Sequence, residues 1–109
     1  MLPTAERAYI DPAKVRDYLL SVVHPVGRFK AVVFLALGYK AEEWEKLRDD
    51  LLALARSAEA VPGQASAFGQ KYEVSGTLRG PNGREAKFTC VWLAPVGDEA
   101  PRFITAFPG

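Results

Sequence analysis

The sequence holds one cysteine, one histidine and one methionine in 109 residues, and its charges nearly cancel, with 14 Lys and Arg against 13 Asp and Glu. A single thiol, Cys90, excludes an internal disulfide. One cysteine and one histidine fall short of the four such ligands a structural zinc site usually needs. Neither the glycine–lysine phosphate loop nor the Gly-x-Gly-x-x-Gly fingerprint is present, so no metal and no cofactor is expected. Long apolar stretches are missing as well. The longest run, Ala31 to Leu37, is far below the ~20 residues of a membrane helix. Glu6, Arg7, Asp11, Lys14, Arg16 and Asp17 leave no room for a signal-peptide core, which points to a cytoplasmic protein without membrane contact. A net charge of +1 excludes the heavy basic excess of a nucleic-acid coat, though not a local basic patch.

What is present is a chain 49% apolar and 25% charged. At this length it reads as a single domain, residues 1–109, able to bury roughly 65% of its unfolded surface. Asp11-Pro12 is a helix start, and Val15, Tyr18, Leu19 and Val22 at spacings of three and four predict a helix over about 12–22. His24-Pro25-Val26-Gly27 breaks it, the proline turning His24 from helical angles and the glycine allowing a tight turn. A second helix is expected over about 28–37, with Phe29, Val32, Val33 and Ala36 on one face and Gly38 as a left-handed C-terminal cap. The third, about 41–58, carries Trp44, Leu47, Leu51, Leu54, Ala55 and Ala58 at helical spacing, with Glu42, Glu43 and Glu45 in its first turns.

After Gln70 the period changes to two. Strands are expected over about 71–79, 84–94 and 102–107, the first two joined by Gly80-Pro81-Asn82-Gly83, a hairpin turn. Val61-Pro62-Gly63 ends the third helix, and residues 64–70 read as a loop or a poor strand. The fold class is therefore α+β, with two to three N-terminal helices packed on a three- or four-stranded antiparallel sheet. Trp44, Leu47, Leu51 and Phe88 are expected in the core. Cys90, among Phe88, Val91 and Trp92, reads as a small buried hydrophobe rather than a catalytic thiol, and Glu42, Glu45 and Asp49 as a solvated helical stripe rather than a catalytic pair.

Chemistry concentrates at His24. It is the side chain that most naturally moves a proton near neutrality, and Arg28 and Lys30 follow it at the start of a helix, a grouping suited to phosphate. Cleavage of an RNA phosphodiester needs little more than a base and cations facing the phosphoryl oxygens. The alternative is that His24 caps the second helix while Arg28 and Lys30 are solvated. Charge is also segregated along the chain. Arg28, Lys30 and Lys40 face no acid between residues 18 and 40, and Lys71, Arg79, Arg84 and Lys87 outnumber Glu73 and Glu85, whereas residues 42–50 hold five acids against Lys46 and Arg48.

These residues also carry a resemblance. Tyr18-Leu19-Leu20, His24-Pro25-Val26-Gly27-Arg28-Phe29-Lys30-Ala31, Phe34 and Leu37-Gly38 are similar to a bacterial domain family of unassigned function, whose most specific piece is His-Pro-x-Gly-x-x-Lys. Gly80-Pro81-Asn82-Gly83-Arg84, Thr89-x-Val91-Trp92 and Pro101-Arg102-x-Ile104-Thr105-Ala106-Phe107-Pro108 fit the same pattern. Such domains occur alone and in toxin-like contexts. The order of helices and sheet also resembles the ribonuclease toxin superfamily of barnase, EndoU, colicin nucleases and RelE. That likeness implies a cleft with His24, Lys30 and Arg28 as catalytic residues, and Arg84, Thr105 and Arg79 as substrate-binding residues across the sheet. Three functions follow as expectations: a toxin-like ribonuclease acting on RNA, a non-enzymatic protein-interaction module (a toxin-neutralising or phage-associated adaptor, with an antitoxin or toxin as partner), and a structural homodimer paired through the edge 102–107.

Overall fold

A computed structural model describes residues 2–97 and 100–109. Asp11 caps the first helix, its carboxylate accepting from the Ala13 N–H at 3.0 Å with Pro12 at the first position. That helix, α1, is a short α-turn (Pro12–Lys14) that continues as a π turn (Val15–Leu19), closed by a bond from the Leu20 N–H to the Val15 carbonyl. It ends earlier than the apolar spacing predicts, and Val22 lies exposed beyond it. Helices α2 (Gly27–Ala36) and α3 (Trp44–Ser57) follow, α3 preceded by a 3₁₀ turn at Ala41–Glu43. Gly38, at φ +95°, ends α2 in the left-handed region as expected.

The sheet has four antiparallel strands in the order β1-β2-β3-β4: Ala60–Ser66, Gly69–Arg79, Glu85–Pro95 and Arg102–Pro108. The stretch expected as a helix stop followed by a loop or a poor strand holds β1, an edge strand and the fourth of the sheet. Its side chains beyond Ala60 are all exposed, and its register with β2 shifts between Pro62 and Ala65. Exposure on both faces removes the period-two signal, and proline at an edge costs no ladder bond. One face of the sheet carries the helices. Phe34 of α2 stacks on Phe88 of β3 at 4.7 Å, Trp92 meets Phe103 edge-on at 5.4 Å, and Leu47, Leu51 and Ala55 of α3 are fully buried. Trp44 is half-buried instead of central, its ring under the Arg48 guanidinium.

Helix α2 departs furthest from expectation. Its buried side chains are Ala31 and Phe34, while Phe29 (67% exposed) and Val32 (68%) face outward. The chain around it leaves no choice. Gly27 lies so close to Tyr18 that an added Cβ would stand 1.9 Å from the Tyr18 carbonyl oxygen, and the far end is fixed where Asn82 donates its backbone N–H to the Leu37 carbonyl and its side-chain amide to Ala36. On the other side of the sheet, the β4 edge is closed at its start. Tyr9 donates to the Pro101 carbonyl and accepts from the Phe103 N–H, so this part of the edge is not free to pair with a second copy.

Candidate functional site

The His-Pro-x-Gly segment builds the entry to α2. Nδ1 of His24 accepts from the backbone N–H of Val26 (3.0 Å) and of Gly27 (2.9 Å), and the His24 carbonyl accepts from the Arg28 N–H. His24 thus caps the Pro25–Val26 turn that leads into α2, its ring nitrogen accepting from two consecutive backbone N–H groups as Ser, Thr, Asp or Asn oxygens do at helix N-termini. Gly27 is required for its lack of a side chain against Tyr18, not for a turn. An imidazole accepting at Nδ1 carries its proton on Nε2 when neutral, so the ring offers a donor. Its edge meets the Tyr18 ring at 4.9 Å.

One turn into α2, Lys30 points back over α1. Its ammonium donates to the Tyr18 hydroxyl at 2.8 Å and to the Thr105 hydroxyl, and those two oxygens share a hydrogen bond of 3.1 Å. Thr105 reaches this position through a bulge. The register steps from Trp92↔Phe103 to Val91↔Thr105, so Ile104 is an extra residue on β4. The π turn in α1 plays the matching part for Tyr18, since π turns re-aim the residues they hold. Burial opposes ionisation of the Tyr18 phenol. The bonds from Lys30 and Thr105, with the charges of Lys30 and Lys14, outweigh it and hold the phenol below its usual value.

The triangle lies in an open depression of about 640 Å³ lined by Lys14, Tyr18, His24, Lys30, Ile104 and Thr105 and by the acidic residues Asp11 and Asp17. Both carboxylates are engaged, Asp11 as the α1 cap and Asp17 with Arg16 at 3.0 Å. The sequence-predicted His24, Lys30 and Thr105 therefore meet. Arg28 does not join them, its guanidinium lying over the Phe29 ring on the solvent side of α2. Arg84 is exposed in the β2–β3 hairpin, seven residues along the chain from the Val91 that pairs with Thr105, a span of roughly 20 Å. Arg79 lines a separate depression beside α3 with Thr77 and Asp50. Tyr18 and Lys14 were missed as site residues. Tyr18 sits within the apolar spacing of α1, and Lys14 four positions earlier was the signal that this face ends in polar groups. Among the described residues no cluster of His, Cys, Asp and Glu is placed to hold a metal ion, and no helix is long and apolar enough to cross a membrane.

The model of a family described as a domain of unknown function, DUF6883, matches residues 1–109. No curated protein matches the chain. Among solved structures, a chain of a contact-dependent growth inhibition toxin–immunity protein complex from Klebsiella pneumoniae 342 shares this fold. Its TM-score is 0.73 at 22% identity, over 92% of this chain and 98% of that one.

Proposed function

The chain belongs to the DUF6883 family, and from the geometry of its cleft we propose that it is a toxin-type phosphodiesterase acting on RNA. The observation that carries this reading is the Lys30 ammonium held between the Tyr18 and Thr105 hydroxyls in an open depression beside His24. The fold shared with a chain of a toxin–immunity complex supports the toxin context.

A phosphate seated in the depression faces Lys30, Lys14 and the Nε2–H of His24, which oppose the negative charge growing on its oxygens. The Tyr18 phenolate, favoured by Lys30, takes the proton of the ribose 2′-hydroxyl as the 2′-oxygen bonds to phosphorus. The bond from phosphorus to the 5′-oxygen breaks, and that oxygen takes a proton from the Lys30 ammonium. Transfer of the proton from Tyr18 to Lys30 along their hydrogen bond restores both groups. His24, expected from the sequence as the acid/base, is here a donor and a cap, because Nδ1 is already an acceptor for two backbone groups. The test is cleavage of structured RNA by purified protein. Lys30→Ala and Tyr18→Phe should each lose about 10²- to 10⁴-fold in rate. Intact RNA at stoichiometric wild-type protein, or Lys30→Ala cutting at the wild-type rate, would overturn the reading.

A protein partner is favoured by a separate observation. Val23 (82% exposed), Phe29, Val32 and Leu35 form an outward apolar face along and before α2, of the kind that marks an interaction surface. The Arg28 guanidinium lies over the Phe29 ring on this face and no carboxylate occurs between residues 18 and 40, so the occupant fitted to it is an acidic protein rather than a second copy, whose own Arg28 would meet this one. Because Val26, just before α2, and Lys30, within it, line the cleft, such a partner would cover the site, as a neutralising protein must. The protein should be monomeric by light scattering, and Phe29→Glu should abolish a complex with a co-expressed acidic neighbour-gene product. A stable dimer that Phe29→Glu dissociates would assign the face to self-association.

A further inference from the structure

The depression around Lys30 continues into a second one of about 590 Å³, lined by Tyr9, Lys14, Arg102, Phe103 and Ile104 with Asp11 and Ala100. Asp11, Lys14 and Ile104 belong to both, so the two form one track along the β4 edge. Tyr9 stands out within it. Its backbone is bonded on both sides to β4, donating to Pro101 at 2.8 Å and accepting from Phe103 at 2.9 Å. Its side chain is nevertheless 53% exposed, in a chain that buries Tyr39 almost completely. An aromatic side chain on a fixed backbone that lines an open groove has only its own two torsions left to order on stacking, and ordering is a large part of the cost of binding. Lys14 stands where the two depressions join, its ammonium 5.7 Å from the centre of the Tyr18 ring. A cation there can face the phosphate that links two nucleotides.

We propose that the groove at Tyr9 is a nucleobase subsite. The base of the nucleotide flanking the cleaved step stacks on the Tyr9 ring, and Lys14 faces the intervening phosphate. The volume suits a single nucleotide, since ligand sites generally fall between roughly 300 and 1,000 Å³. Stacking on one ring reads no hydrogen-bond edge, so the subsite favours a base over none and purines over pyrimidines by stacking strength alone. This inference rests on the phosphodiesterase reading of the neighbouring cleft, and its test separates the two.

The probe is a fluorescently labelled 2′-O-methyl RNA hexamer, which binds without a 2′-hydroxyl to attack. Tyr9→Ala should weaken its binding about 5- to 100-fold, while Tyr9→Phe and Tyr9→Trp stay within about twofold of wild type because each keeps an aromatic face. Replacing the flanking nucleotide by an abasic one should weaken wild type by the same factor and leave Tyr9→Ala unchanged. Circular dichroism of Tyr9→Ala should match wild type, because the ring is exposed. Tyr9→Ala binding as tightly as wild type while Lys30→Ala binds weakly overturns the subsite and leaves the cleft reading standing. A hexamer that wild type does not bind, or that both variants bind like wild type, overturns both.

Discussion

Gly27 packs on Tyr18 at a distance that excludes any side chain. A Cβ on the glycine would stand 1.9 Å from the Tyr18 carbonyl oxygen and 3.0 Å from its ring. The helix that delivers Lys30 and the turn that delivers Tyr18 are thus locked by one backbone contact, and the spacing of the motif from His24 through Gly27 to Lys30 is a consequence of it. Gly27→Ala must push α2 outward. It should cost about 1–3 kcal/mol in chemical denaturation, and it should lower cleavage by the folded protein more than that loss accounts for, because Lys30 moves with the helix.

His24 has two separable contributions. Loss of the cap in His24→Ala should cost about 0.5–2 kcal/mol. His24→Asn should recover most of that stability, since its side-chain oxygen can accept from the same two N–H groups, while the cleavage rate stays low for want of the Nε2–H. Equal cleavage by folded wild type and folded His24→Ala would leave the histidine a cap alone.

Two buried groups set the alkaline limit of the fold. Burial pushes the Cys90 thiol from 9.0 up to about 12, and burial, with the hydrogen bond and charge of Asp50, raises the Tyr39 phenol well above 10.0. Each group is held in its protonated form when folded and ionises more readily when unfolded. The Cys90 contribution is therefore complete below pH 9 and is lost as pH climbs from 9 toward 12, and that of Tyr39 is complete below pH 10 and is lost above it. Thermal melts across that window should fall steeply for wild type and less steeply for Tyr39→Phe and Cys90→Ala. The native thiol should also resist alkylation at neutral pH, and rapid labelling without unfolding would contradict its burial.

The inverted face of α2 gives a contrast within one helix. Phe34→Ala should cost about 3–5 kcal/mol, because Phe34 is fully buried on Phe88. Phe29→Ser should stay within about 0.5 kcal/mol of wild type. Equal losses at both positions would mean that the outer face is covered in the folded chain.

Much of this fold was legible in local pattern. The α3 stripe of Leu47, Leu51 and Ala55, the β2–β3 hairpin at Asn82-Gly83 and the cap at Gly38 follow from spacing and turn chemistry, which act within a few residues. Helix α2 misled because apolar residues lie on more than one of its sides: the choice of buried side was made by Gly27 against Tyr18 and by Asn82 at the far end, contacts between distant parts of the chain. β1 hid for the same kind of reason, since a strand exposed beyond Ala60 has no alternation to read. In the site, His24 and Lys30 could be picked out by type and spacing. Thr105 enters through the resemblance to ribonuclease toxins and not through the bulge that places it, Tyr18 is hidden by a π turn that leaves no periodic trace, and the same resemblance groups the distant Arg84 and Arg79 with the site.

The most direct measurement is the chemistry of the ends left on RNA. Wild-type protein should yield fragments ending in a 2′,3′-cyclic phosphate with a 5′-hydroxyl on the next piece, a single 2′-deoxy substitution at the cut nucleotide should block that cut, and Tyr18→Phe of unchanged thermal stability should yield almost none. Fragments bearing 5′-phosphates, or undiminished cleavage by Tyr18→Phe, would contradict the account.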